Sequence, residues 1–90
     1  MEVVESRIGI RVNVLLFSVL RESVGVSTMD VETTSVCTGG ALLDQLAVEH
    51  PAIRRFRGHI RLAVNANYVS EDIILRDGDE VALITPTSGG

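Results

Sequence analysis

From Ile8 to Leu16 every second residue is apolar: Ile8, Ile10, Val12, Val14 and Leu16 alternate with Gly9, Arg11 and Asn13. Successive side chains of a strand point to opposite faces, so this spacing predicts a strand with one buried face and one face toward solvent. The pattern changes at its end, where Leu15 and Phe17 join Arg11 and Asn13 on the outward face. Two large apolar groups there are either covered by another element or form a contact surface.

Ser18 to Gly25 reads as a short helical turn closed by Gly25, because glycine adopts the left-handed conformation that ends helices. Met29 to Thr33 is β-branched enough for a second strand, antiparallel to the first across a long loop. Thr38 is a predicted N-cap. Leu42, Leu43, Leu46 and Ala47 then share one helical face, with Asp44, Gln45 and Glu49 turned away. His50-Pro51 is expected to end this helix, since the residue before a proline avoids the helical region. Gly39 falls on the buried side of the first turn, where it costs helix propensity but permits close approach of helix to sheet. Arg54-Arg55-Phe56-Arg57 reads as a solvated surface turn.

Alternation resumes from Ile60 to Asn65, with Leu62 and Val64 inward and Arg61 and Ala63 outward. Asn65-Ala66-Asn67 is turn chemistry, Tyr68-Val69 a short returning strand, and Asp77-Gly78-Asp79 a second turn. Glu80 to Ile84 completes the pattern, with Val81 and Leu83 on one face and Ala82 and Ile84 on the other. Strands at both ends and a helix between them predict an α+β fold, a mixed sheet with one main helix packed across one face. If first and last strands are parallel neighbours, Leu15, Phe17, Ala82 and Ile84 meet on the face away from the helix.

Composition narrows the function. Ninety residues with 46% apolar and 22% charged content describe one globular domain. A net charge of −4, with no basic patch beyond Arg54-Arg55-Phe56-Arg57, argues against a nucleic-acid partner. All eight basic residues are arginine, so no side chain can accept a carboxylate through an isopeptide bond. The single Cys37 excludes an internal disulfide and fits a reducing compartment, and one Cys with two scattered His residues supplies no metal spacing. The start Met-Glu-Val-Val-Glu lacks the order of a secretory peptide and no run reaches membrane-spanning length, so a soluble, cytoplasmic protein is expected.

The sequence closes on Thr85-Pro86-Thr87-Ser88-Gly89-Gly90. Pro86 favours an end to the last strand, and neither final residue carries a Cβ, so this backbone fits a slot too narrow for side chains. At full extension such an arm reaches roughly 15 Å. Three segments are therefore expected: a loose extension over residues 1–7, a folded body over 8–84, and a tail over 85–90.

Several stretches together resemble the small, sulfur-carrying subunits of molybdopterin synthase, within the ubiquitin-like β-grasp sulfur carriers: Val14-Leu15-Leu16-Phe17-Ser18-Val19-Leu20-Arg21-Glu22, His50-Pro51, Ala63-Val64-Asn65, and the run from Asp77-Gly78-Asp79-Glu80 to Gly89-Gly90. The chain departs from that pattern at Gly39, where the family often has an apolar residue, and at Thr85-Pro86, where it often has two prolines. The resemblance implies a β-grasp fold and a cycle on the Gly90 carboxylate. A ubiquitin-activating-like adenylyltransferase consumes ATP to form an acyl-adenylate, and a sulfur donor protein converts it to a thiocarboxylate. The large synthase subunit then lets that sulfur attack cyclic pyranopterin monophosphate. Gly90 would carry the sulfur and Gly89 permit entry to the narrow site. Family contacts map to Phe17, Arg21 and Ile84, and Leu15, Ala82, Pro86 and Ser88 complete the expected partner interface. No permanently bound cofactor or metal is implied, nucleotide enters only through activation, and the assembly is a heterotetramer of two small and two large subunits.

Carriers for thiamine or transfer RNA thiolation, and ubiquitin-like modifiers of protein lysines, share the activation chemistry. The Leu-Leu-Phe…Leu-Arg-Glu segment and the Asp-Gly-Asp-Glu block favour the molybdopterin carrier. A plain β-grasp interaction domain with an incidental diglycine is the third alternative.

Overall fold

A computed structural model describes residues 9–86 of the chain. The expected extension over 1–7 and the tail calls Ser88, Gly89 and Gly90 lie outside the described residues. The elements are β1 (Ile10–Leu16), α1 (Ser18–Val24), β2 (Thr28–Thr33), α2 (Gly39–Glu49), α3 (Pro51–Phe56), a single 3-10 turn (Arg57–His59), β3 (Arg61–Val64), β4 (Asn67–Val69) and β5 (Glu80–Ile84).

The strands form one sheet in the order β2-β1-β5-β3-β4. β1 pairs with β2 antiparallel and with β5 parallel, while β3 is antiparallel to both β5 and β4. This is the mixed β-grasp roll that the alternation and the resemblance led one to expect, with β1 and β5 side by side. The core lies between the sheet and the helices. Val12, Val14 and Leu16 of β1, Leu62 and Val64 of β3, and Val81 and Leu83 of β5 meet Leu42, Leu43 and Leu46 of α2, Leu20 of α1 and Ile53 of α3. The inward parity read from the sequence therefore holds in all three strands.

Helix ends form for local reasons. The Thr38 side chain accepts a hydrogen bond from Ala41 N–H at 3.1 Å, capping α2, and Gly25 at φ 98° closes α1 with its N–H on the Arg21 carbonyl. Gly39 is buried against β3: a Cβ built on it would lie 2.5 Å from Leu62 Cδ1. The missing side chain is what lets α2 approach the sheet this closely.

Among the described residues α2 is the main helix and α1 the short one read from the sequence, but one expectation requires correction: Arg54-Arg55-Phe56-Arg57 is not a surface turn but the end of α3 and the start of the 3-10 turn. Pro51 does stop α2, yet it also occupies the first position of α3, where its fixed φ and missing N–H suit a helix start. A further difference is Ala63, which points away from the core as expected but is only 7% exposed. It lies between Ala82 of β5 and Tyr68 of β4 in the sheet register, a position flanked by strands on both sides where a side chain of one methyl exposes little surface.

The Asp77-Gly78-Asp79 turn is a structural clip. Gly78 takes φ 88°, and Gly78 N–H donates to the Arg11 carbonyl at 2.8 Å while Arg11 N–H donates to Asp77 Oδ1 at 2.8 Å. Asp79 accepts from Arg76 N–H at 2.8 Å and from Asn65 Nδ2 at 3.0 Å. The starts of β1 and β5 and the β3–β4 turn are thereby tied at one end of the sheet. The tail leaves from the other end.

Candidate partner-docking face and tail root

The parallel pairing of β1 with β5 matches Leu15 to Ala82 and Leu16 to Leu83. Leu16 and Leu83 point into the core; Leu15, Ala82 and Ile84 point the other way and stay half-buried. Phe17 follows Leu16 and is 44% exposed. At this point the chain turns sharply into α1, with Ser18 at φ 49°, so Phe17 stands at the rim instead of continuing the strand. The structure thus brings Leu15, Ala82 and Ile84 onto the face opposite the helices, with exposed Phe17 following directly after Leu16 at its end.

Two residues that were not singled out extend this face. Tyr68, 67% exposed, is opposite Ala63, and Arg61 is the antiparallel neighbour of Ile84. Strand parity was the signal available for both, since Arg61 and Ala63 alternate with the inward Leu62. Toward the other end the same face becomes polar. Arg11 pairs with Glu32 at 2.7 Å and Asn13 donates to Asp30 at 3.1 Å. A single sheet surface is therefore apolar beside the tail root and charged away from it.

Arg21 is exposed on α1 and makes no ion pair with another described residue. Pro86 is exposed and lines a shallow cleft with Gly58, His59, Ile60 and Arg61. Thr85, just before it, is half-buried. Cys37, by contrast, is 2% exposed and sits beside the Thr33 hydroxyl, which donates to its Sγ at 3.3 Å. It is a small core side chain here.

The strongest polar cluster is remote from the apolar face. Arg57 forms a two-pronged pair with Glu71 at 2.9 and 3.0 Å and reaches Asp44 at 3.0 Å. The hydrogen bond from Arg57 holds the Glu71 carboxyl below the usual carboxylate range, partly opposed by desolvation, and the same pairing raises Arg57. This cluster pins the start of α2 to the loop after β4 and to the 3-10 turn. It offers no group poised for proton transfer. Among the described residues no group of three or more His, Cys, Asp or Glu converges as a metal site, and no helix is long and apolar enough to cross a membrane.

The ThiS family model matches residues 14–90. The chain is 37% identical over 82 residues to the molybdopterin synthase sulfur carrier subunit of Mycobacterium tuberculosis, covering 90% of this chain and 99% of the relative. The small archaeal modifier protein 1 of Haloferax volcanii has a similar structure, with TM-score 0.78 and 30% identity over 88% of this chain and 100% of that one. A protein solved in the complex of subunits 1 and 2 of molybdopterin-converting factor from Helicobacter pylori shares the fold at TM-score 0.66 and 21% identity, over 90% of this chain and 100% of that one. With its β-grasp sheet, its apolar face beside the tail root and a match running through the closing diglycine, the chain belongs to the ThiS family, together with the molybdopterin synthase sulfur carrier subunits.

Proposed function

We propose that this protein is the sulfur carrier subunit of a molybdopterin synthase. The observation that carries the reading is the apolar face formed by Leu15, Ala82 and Ile84, with Phe17 at its end, at the root of a tail ending in Gly89-Gly90. A large exposed aromatic beside half-buried aliphatics, on a sheet face that no described helix covers, is suited to a protein partner. The diglycine is suited to that partner's narrow active site.

In this reading the Gly90 carboxylate attacks the α-phosphate of ATP on an adenylyltransferase, and pyrophosphate leaves. Sulfide-level sulfur released by a donor then attacks the acyl carbonyl and AMP leaves, giving the thiocarboxylate, because a carboxylate is a poor electrophile until it has a good leaving group. The large synthase subunit binds Phe17, Arg21 and Ile84, with Leu15, Ala82, Pro86 and Ser88, and receives the tail. Sulfur passes there to cyclic pyranopterin monophosphate. Residues 8–84 serve as the body and 85–90 as the delivery arm, and the work takes place in the cytoplasm. The catalytic groups belong to the partner. The complex of molybdopterin-converting factor subunits in a protein of the same fold supports a large-subunit partner.

Deleting Gly90 tests the reading. Molybdopterin formation with the large subunit, activating enzyme, ATP and a sulfur source is expected to vanish while the thermal midpoint is unchanged. Synthesis by the truncated chain would remove the carrier function. A second reading, protein modifier, is favoured by the likeness to small archaeal modifier protein 1. Covalent adducts joined through Gly90 to lysines of other proteins would establish it, whereas an intact mass raised by replacement of one oxygen with sulfur supports the carrier.

A further inference from the structure

Charge is unevenly placed on this acidic molecule. Of the described arginines, Arg11 and Arg57 are engaged with carboxylates. Arg21, Arg54, Arg55, Arg61 and Arg76 are exposed and make no ion pair with another described residue. The first four of these lie on consecutive parts of one end of the fold. Arg21 is on α1, which follows β1 and packs on α3. Arg54 and Arg55 are in the last turn of α3. Arg61 opens β3 beside Ile84 and lines the cleft that also contains Pro86. The opposite end, at the starts of β1 and β5, holds Glu32, Asp77, Asp79 and Glu80 against Arg11 and Arg76. Glu22 of α1 offsets one of the rim's four arginines, so a net charge of −4 is divided between a rim with a positive excess at the tail root and a far end with a negative one.

We infer that this rim is an electrostatic docking surface for an acidic protein surface surrounding the pocket that takes the tail. The inference rests on the sulfur-carrier reading and adds the charge character of the partner. Continuity is the first argument: Arg61 is the sheet neighbour of Ile84, so the rim borders the apolar face without a break. Charge complementarity is the second. Basic groups at the leading end and acidic groups at the trailing end turn the molecule tail-first toward a negative surface. Fields of this kind raise association rates by about 10- to 1,000-fold at low salt. A nucleic acid fits less well, since a molecule with a net charge of −4 is repelled as a whole by phosphates.

Association of the whole chain with its large synthase subunit, followed by stopped flow at low and high salt, tests this. The double variant R54E/R55E is expected to associate about 10-fold more slowly at low salt, with its dissociation rate little changed. The difference should close near 1 M salt, where the Debye length is about 3 Å. R54Q/R55Q, which adds no charge to the end of α3, should show a smaller change in the same direction. R76E, at the far end, serves as the control and should barely alter the rate. R76E changes the net charge by as much as R54Q/R55Q does, so equal slowing by these two would reduce the effect to net charge and overturn the proposal, as would unchanged rates for both rim variants. So would loss of single-stranded RNA retention by the rim variants with unchanged association. If no variant, nor the unaltered chain, binds the large subunit, the carrier reading itself fails, a result distinct from binding that ignores the rim.

Discussion

Gly39 stands directly against Leu62: a Cβ on Gly39 would fall 2.5 Å from Leu62 Cδ1, and Ile73 Cγ2 and the Glu71 carbonyl lie 3.4 and 3.6 Å away. Leu62 is itself 2% exposed, so its methyl has little space to yield. Overpacking of this kind costs about 1–3 kcal/mol, against a gain of up to about 1 kcal/mol from replacing glycine in a helix. Gly39→Ala is therefore expected to lower stability by roughly 1 kcal/mol in urea unfolding. In combination with Leu62→Val the added cost of the alanine should shrink, which a double-mutant cycle measures.

The β3–β4 turn places Asn65 at φ 51° and Ala66 at φ 74°. A two-residue hairpin turn with both central residues left-handed favours Asn-Gly, and alanine here works against its own sterics. Ala66→Gly is expected to stabilise the protein by about 0.5–1 kcal/mol, the relief of strain exceeding the entropy of the freer unfolded chain. A thermal midpoint higher by roughly 2–8 °C would register it.

The Arg57–Glu71 pair has a defined pH signature. Glu71 has its pKa lowered by Arg57, so its contribution is present above the ordinary carboxylate pKa and is lost as pH falls through the lowered value. The Glu71 side chain is 48% exposed, which limits the effect through solvent screening to about 0.5–1 kcal/mol. Glu71→Gln should thus be less stable than the unaltered protein at neutral pH and converge with it in acid. A gap that widens toward low pH would contradict the pairing.

Phe17 is 44% exposed while Leu16 beside it is 1% exposed, so the two adjacent residues separate binding from folding. Phe17→Asp is expected to change unfolding free energy by less than about 1 kcal/mol yet weaken the complex with the large subunit by about 30-fold or more, as loss of an aromatic hot spot does. Calorimetry of binding beside urea unfolding of the free variant measures both. Unfolding of the free Phe17→Asp chain would place Phe17 in the core instead.

The sequence by itself determined the alternation of β1, β3 and β5, the caps at Thr38 and Gly25, and the turns at Asn65 and Gly78. Those depend on local periodicity and backbone preference, which act over a few residues. Its parity also told Leu15, Ala82 and Ile84 from their buried neighbours, because a strand turns alternate side chains to opposite faces whatever it pairs with. Only the tertiary structure decided the full strand order, and therefore that Arg61 borders Ile84 and that Ala63 sits between Tyr68 and Ala82. It likewise decided that Arg57 is held by Asp44 and Glu71 while Arg54 and Arg55 make no ion pair with another described residue. Those outcomes depend on chain segments far apart in sequence meeting in space, and a local pattern holds no record of such meetings.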